Sequence, residues 1–332
     1  MSRTIQKVAI IGSGVMGASI AAHLANVGIS SILLDVPTTE LTEQERARGW
    51  TLESKQVRNR LAIKAIDRLQ KANPTPFYEN RFANRITPGN VADDLPKIKE
   101  VDWVIEAIIE NADIKKQLYK QIEEVWVEGT FVSSNTSGVS INEMVKERSL
   151  AFQEHFFGTH FFNPPRYMKL LEVIPNTNTK PEIIKQMTQF AENVLGKEVV
   201  VAKDTPNFIA NRIGTFGLLV TLREMKRFGL SVEEVDAVTG PALGRPKSAT
   251  FRTLDLVGLD TFMHVANNVY QKVDDEAEKN VFAPVPLLKE MVERGGLVKK
   301  LRKAFMKRYE QTKGPKFALY KWIHSRTKNK NV

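Results

Sequence analysis

The chain contains no cysteine. That excludes a disulfide framework, a thiol nucleophile and cysteine-ligated zinc. It also fits a reducing compartment, and a cytoplasmic location is expected. No run of about 18 apolar residues occurs, so no transmembrane helix is expected. A strand begins within a few residues of the N-terminus, which argues against a secretory signal. No internal repeat is visible, no metal site is expected, and no strand candidate follows Asp204. What the chain has in excess is positive charge, with 48 Lys and Arg against 38 Asp and Glu, a formal +10. The excess is local. From Arg294 to Val332 there are thirteen Lys and Arg and one acid, Glu310, so residues 1–293 sum to −2. A near-neutral body is not a nucleic-acid footprint. Length and an ordinary 42% hydrophobic content allow two domains.

Lys7-Val8-Ala9-Ile10-Ile11 reads as a buried strand, Ala18–Val27 as a helix capped by Gly28, and Ile32-Leu33-Leu34 as a second strand ending at Asp35. Between them, Gly12-Ser13-Gly14-Val15-Met16-Gly17 matches G-x-G-x-x-G. Its first glycine permits the tight turn, its second admits a pyrophosphate, and its third lets helix and strand pack closely. Asp35 would accept hydrogen bonds from a ribose diol and repel a 2′-phosphate, which favours NAD over NADP. Gly12, Gly14, Val15, Met16, Gly17 and Asp35 are therefore the candidate cofactor residues.

Residues 37–96 read as a long, charged, helical insertion, with Lys55, Arg58, Arg60, Lys64 and Lys71 forming a basic cluster on or near a 57–71 helix. Such a cluster suits a phosphorylated substrate handle or an ordinary solvated face. Strands follow at 101–107 and 130–135, with a helix over 114–125. The alternation predicts a Rossmann-type, doubly wound, mostly parallel sheet, followed by a smaller all-helical domain. The expected domains are 1–202, 203–294 and an atypical basic tail, 295–332. Helices are expected over 207–230, 231–243, 252–273 and 284–294.

Residues 158–174 place His160 twelve positions before Glu172, a lone carboxylate in the apolar run Met168–Ile174. Burying that charge requires a partner. Pro164-Pro165 can turn the chain so that two short strands lie side by side and the pair meets. A carboxylate that fixes an imidazole's tautomer makes a general base; a satisfied core histidine explains the same text. Ser137, in the turn after the 130–135 strand, suits either a substrate oxygen or a helix cap. Glu110 and Lys115 can border a nicotinamide ribose or simply open a solvated helix. Asn211, on an apolar helix starting near Pro206, needs a partner that is either substrate or backbone.

Together these motifs resemble the L-3-hydroxyacyl-CoA dehydrogenase family over residues 5–270, especially its long bacterial forms. The resemblance rests on Gly12–Gly17, Val104–Lys115, Ser134–Ser137, the His160–Glu172 stretch, Lys203-Asp204-Thr205-Pro206 leading to Asn211-Arg212, and Thr250–Thr261. It implies that His160 is the base and Glu172 its orienting partner. Ser137 and Asn211 would hold the substrate's 3-oxygen, and Glu110 and Lys115 would border NAD. The implied reaction oxidises (S)-3-hydroxyacyl-CoA to 3-ketoacyl-CoA in fatty-acid β-oxidation, with an acyl-CoA as partner and a homodimer through the helical domain. A dehydrogenase of a CoA-free hydroxy acid, or an NAD-binding remnant without turnover, are the alternatives. Two departures stand out. Asn207 occupies a position where the family often has Gly. From Gly296 the chain reads Gly-Leu-Val-Lys-Lys-Leu-Arg in place of the family's glycine-rich pattern. The tail is either text from a slipped reading frame or a basic amphipathic helix with Leu297, Leu301, Phe305 and Tyr309 at four-residue spacing.

Overall fold

The computed structural model of the chain describes residues 4–285 and Leu288. The chain divides into two compact units, the first ending at Ile209 and the second starting at Ala210. The first is built on an eight-stranded sheet: β1 (Lys7–Ile11), β2 (Ser30–Asp35), β3 (Ile86–Asn90), β4 (Trp103–Glu106), β5 (Phe131–Ser134), β6 (Phe156–Phe161), β7 (Leu170–Pro175) and β8 (Glu198–Val201). Their spatial order is β3-β2-β1-β4-β5-β6-β7-β8. Every neighbouring pair is parallel except β6 and β7. The expected doubly wound, mostly parallel sheet is therefore what forms.

Both faces of the sheet are covered because successive side chains point to opposite sides. Val8 and Ile10 of β1 join Trp103 and Ile105 of β4 in one core, with Ala18, Ala21, Ala65, Leu69 and Met187 from helices Val15–Asn26, Arg60–Lys71 and Pro181–Asn193. Ala9 and Ile11 join Val104 and Val132 in the other, against Leu118, Tyr119 and Ile122 of helix Ala112–Val125, and Phe152. The glycine loop opens the Val15–Asn26 helix, as its spacing predicts.

The 37–96 segment is a correction. It contains helices, but also β3, which pairs with β2 from Ser31↔Ile86 to Asp35↔Asn90. Ile86-Thr87-Pro88-Gly89-Asn90 reads as turn text, and a proline is tolerated because β3 is an edge strand. Two members of the basic cluster are already neutralised. Arg58 pairs with Asp93 at 2.6 Å, and Arg60 pairs with Glu45.

The described part of the second unit is all helix: Ala210–Phe228, Val232–Thr239, Phe251–Val257, Leu259–Lys272 and Glu276–Phe282, with a short 3-10 turn at Pro241–Leu243. Leu219, Leu222, Phe251, Leu254, Phe262, Val269 and Phe282 form its core. Three expectations shift. The first helix starts at Ala210 rather than 207, because Asn207 and Phe208 are left-handed, with φ of 59° and 52°. The 252–273 stretch breaks at Gly258, whose φ of 90° no helix accommodates. Ala283–Val285 are not helical. The rest of the 284–294 helix, apart from Leu288, and the 295–332 tail lie outside the described residues. Among the described residues, no helix is long and apolar enough to cross a membrane.

Candidate active site

Parallel strands bring their carboxyl ends to one edge, and there an open α/β sheet holds its ligands. β1 delivers the glycine loop to this edge, β2 Asp35, β4 Glu106, β5 Ser134, and β6 His160.

In the glycine loop, Gly12 has φ +105°, and a Cβ there would stand 2.5 Å from the Ala107 carbonyl oxygen. A Cβ on Gly17 would lie 1.9 Å from the Gly12 oxygen. Both positions thus exclude a side chain because protein backbone is already there. Gly14 differs: a Cβ there would meet nothing within 4 Å. It faces open space at a helix start that carries no side-chain cap, which is what a pyrophosphate approaching backbone amides requires. Asp35 braces the loop, its Oδ2 accepting from Ser13 N at 2.7 Å and from the Ser13 hydroxyl. Val15, Val36 and Ile109 are exposed by 60, 59 and 63% at this edge. They leave apolar surface open there, and Val36 and Ile109 gave no signal in the sequence. The residues present fit NAD.

His160 and Glu172 are directly opposite in the β6–β7 register. Opposed residues share a face of the sheet. His160 Nδ1 and Glu172 Oε2 are 2.7 Å apart, with both residues buried. The hairpin predicted from Pro164-Pro165 is what joins them, with the amides of Tyr167 and Met168 both donating to the Pro164 carbonyl. Phe162 and Phe208 flank the imidazole at 4.4 and 5.9 Å between ring centres.

Ser137, Glu110 and Lys115 also come together. Glu110 Oε1 accepts from the Thr136 hydroxyl at 2.6 Å, Ser137 N at 2.8 Å, the Ser137 hydroxyl at 3.2 Å and Gly138 N at 3.1 Å. Burial works to raise the Glu110 pKa. The Lys115 charge and the bonds from Thr136 and Ser137 outweigh it and hold the group below the usual carboxylate value. Lys115 Nζ lies 3.4 Å from Glu110 Oε2 and 2.6 Å from Glu106 Oε1.

Glu106 had no role in the sequence reading. It is fully buried and also accepts from the Tyr119 hydroxyl, from Ser134 Oγ at 2.6 Å and from Ile108 N at 2.8 Å. Burial and the Glu106 charge push the Tyr119 pKa well above its ordinary value, which keeps the phenol a donor. The rule that singled out Glu172, a lone acid in an apolar run, applies equally to Glu106 in Trp103–Ala107.

Asn211 is the second residue of the helix that opens the second unit and is not part of the constellation within the first. Asp204 was also missed. Its carboxylate accepts from Ser140 Oγ at 2.7 Å, Ile141 N at 3.0 Å, and Asn142 N and Nδ2 at 2.9 and 2.7 Å. It thereby caps the short helix after the Ser137 turn.

Strand order and glycine loop together define a Rossmann-type dinucleotide-binding unit. Comparison with known proteins narrows this. Residues 7–205 match the 3-hydroxyacyl-CoA dehydrogenase NAD-binding domain, and residues 208–308 match the C-terminal domain of the same family. A probable 3-hydroxyacyl-CoA dehydrogenase of Bacillus subtilis is 54% identical, over 94% of this chain and 39% of that one. One from Deinococcus radiodurans is 45% identical, over 95% of this chain and 86% of the relative. The crystal structure of (S)-3-hydroxybutyryl-CoA dehydrogenase PaaH1 from Ralstonia eutropha superimposes with a TM-score of 0.69 at 28% identity, covering 88% of this chain and 95% of that one. The chain belongs to the 3-hydroxyacyl-CoA dehydrogenase family, and its first unit is that family's NAD-binding domain. It spans about two fifths of the length of the Bacillus subtilis relative.

Proposed function

We propose that the chain catalyses the NAD-dependent oxidation of (S)-3-hydroxyacyl-CoA to 3-ketoacyl-CoA in fatty-acid β-oxidation. The observation that carries this reading is the bond between His160 Nδ1 and Glu172 Oε2, at the sheet edge that also bears the Gly12–Gly17 loop. The names of the Bacillus, Deinococcus and Ralstonia relatives support the substrate class.

With Nδ1 committed to Glu172, His160 exchanges protons at Nε2. It takes the 3-hydroxyl proton as the C3–H bond breaks, and Glu172 stabilises the imidazolium that forms. Bound NAD⁺ supplies the hydride acceptor for C3. In the reverse direction the imidazolium returns its proton to the 3-keto oxygen. Ser137 and Asn211 orient that oxygen. Gly12, Gly14, Val15, Met16 and Gly17 hold the pyrophosphate, Asp35 the adenine ribose, and Glu110 the nicotinamide side; Lys115, expected there too, has no exposed side-chain surface and serves that side only through its charge on Glu110. NADH oxidation with acetoacetyl-CoA tests the assignment: His160→Gln should lose on the order of 10²–10⁴-fold in kcat. Undiminished turnover in that variant removes His160 from the mechanism. Faster wild-type turnover of CoA-free acetoacetate than of acetoacetyl-CoA replaces the substrate class.

We also infer a cytoplasmic location, supported by the cysteine-free composition, and a homodimer through the helical unit. Exposed Ile213, Phe216 and Leu256 in that unit support the dimer. Sedimentation equilibrium at the monomer mass would refute it.

A further inference from the structure

We infer that the turn Thr205–Ile209 is a positioning device for the His160–Glu172 pair, acting through the backbone amide of Ile209. The inference rests on the activity proposed above and deepens it.

The two oxygens of Glu172 have different partners. Oε2 meets His160 Nδ1 at 2.7 Å, and Oε1 accepts from the amide of Ile209 at 3.0 Å. A carboxylate held at one oxygen alone can rotate about its last carbon–carbon bond and leave the imidazole. Held at both, it keeps Oε2 on Nδ1. Ile209 is itself 38% exposed, whereas Glu172 is 1% exposed. The residue is thus partly open to solvent while its amide is aimed at a buried charge.

The aim comes from the two residues before it. Asn207 and Phe208 are consecutive and left-handed, with φ of 59° and 52°. Both are almost fully buried. Asparagine accepts this backbone region, but phenylalanine does so rarely, so the surroundings must impose it. Phe208 lies in the apolar core and beside the His160 ring. The turn closes with Phe208 N donating to the Thr205 carbonyl at 3.0 Å. Upstream it is anchored by Asp204, whose carboxylate holds the helix after the Ser137 turn. One short segment therefore braces the serine turn with its first residues and the acid of the base pair with its last.

The test places Asn207→Val, whose β-branched side chain resists a left-handed backbone, beside Asn207→Gly, which favours one. Each is made in the wild-type chain and in Glu172→Ala, and each is assayed for NADH oxidation with acetoacetyl-CoA. Asn207→Val should lower kcat about 10- to 100-fold with the KM for NADH unchanged. Asn207→Gly should keep most of the turnover. In the Glu172→Ala background, Asn207→Val should cost less than about threefold more, because the amide has lost its target. Should Asn207→Val not fold, Asn207→Ala takes its place with a smaller loss expected.

Equal losses in both backgrounds, or Asn207→Gly as damaged as Asn207→Val, would overturn the inference. A second readout needs no activity: the hydrogen-bonded Nδ1 proton of His160, assigned by its absence in His160→Gln. It should be sharp in the wild type and Asn207→Gly and broadened in Asn207→Val. If it behaves so while the wild type turns over no acyl-CoA, the proposed activity fails and the positioning role stands. If it is unmoved by Asn207→Val, the positioning role fails.

Discussion

Replacing Lys115 with methionine removes one positive charge from a place without solvent. Lys115 and Glu106 both have 0% side-chain exposure, with Nζ 2.6 Å from Glu106 Oε1 and 3.4 Å from Glu110 Oε2. Methionine fills nearly the same volume, so the cavity contribution is small. What is lost is compensation for a buried carboxylate, and breaking one side of a buried pair costs about 3–5 kcal/mol. Glu106 keeps three neutral donors, from Tyr119, Ser134 and the Ile108 amide, which places the expected cost near the lower end, about 3 kcal/mol. Restoring neutrality should recover part of it: Lys115→Met with Glu106→Gln should be more stable than Lys115→Met alone by about 1–2 kcal/mol. Urea unfolding at pH 7, followed by tryptophan fluorescence in a Trp322→Phe background, reads this on the correct unit, because the other three tryptophans, Trp50, Trp103 and Trp126, all lie within the first. With a urea slope of about 2–3 kcal/mol per molar, the single variant should unfold about 1 M earlier. A shift below about 0.3 M at unchanged slope, or a double variant no better than the single, would refute the view that Lys115 is a structural counter-charge.

The glycine loop yields a pair of opposite outcomes. Gly14→Ala adds a Cβ where no protein atom lies within 4 Å. Its stability should change by less than ~0.5 kcal/mol, while its Kd for NADH rises at least about tenfold. Gly12→Ala drives a Cβ into the Ala107 carbonyl at a φ of +105° and should cost more than about 2 kcal/mol before cofactor is considered. Unchanged NADH binding in Gly14→Ala, measured by fluorescence titration, would show that the open space is not the phosphate site. Acid should weaken the first unit through His23, whose pKa is lowered to about 4 by burial, with the Lys197 charge adding to it. An unfolded histidine binds its proton near 6.5 and the folded one only near 4. The stability from the neutral buried ring is therefore present above pH 6.5 and lost as pH falls towards 4. At ~1.36 kcal/mol per pH unit the loss is about 3 kcal/mol. His23→Leu should flatten unfolding free energy between pH 6.5 and 4.5, and an unchanged slope there would exclude His23 as the source.

What the sequence made legible follows from how local each signal is. The β1–loop–helix–β2 unit was readable because an apolar run, three glycines and a terminal acid all fall within 30 residues, each with its own physical reason. The His160–Glu172 pair was readable because prolines between two apolar runs force a turn, and the lone acid needs a partner. β3 was not readable. Ile86–Asn90 has the residues of a turn, and it is a strand only because β2 offers an open edge at Ser31–Asp35. Asn211 was assigned by resemblance, and its helix begins three residues later than its apolar spacing suggests.

Position 207 shows why resemblance and geometry carry different information. As text, Asn207 counts as a departure from the glycine that the family resemblance leads one to expect. As backbone, both are the residue types that tolerate a φ near +59°. What the two residue types share is therefore a conformation rather than a side chain. That conformation matters because the group it delivers, the Ile209 amide on Glu172 Oε1, belongs to the main chain, which every residue but proline possesses. A backbone donor leaves no letter of its own in a sequence. Its only trace is the permission granted to the residues before it, and Phe208, left-handed at 52° with no permissive side chain, leaves none. Some side chains at this edge, His160 and Glu172 among them, could thus be anticipated from residue identity, whereas the part of the machinery built from amides became visible only once the chain was folded.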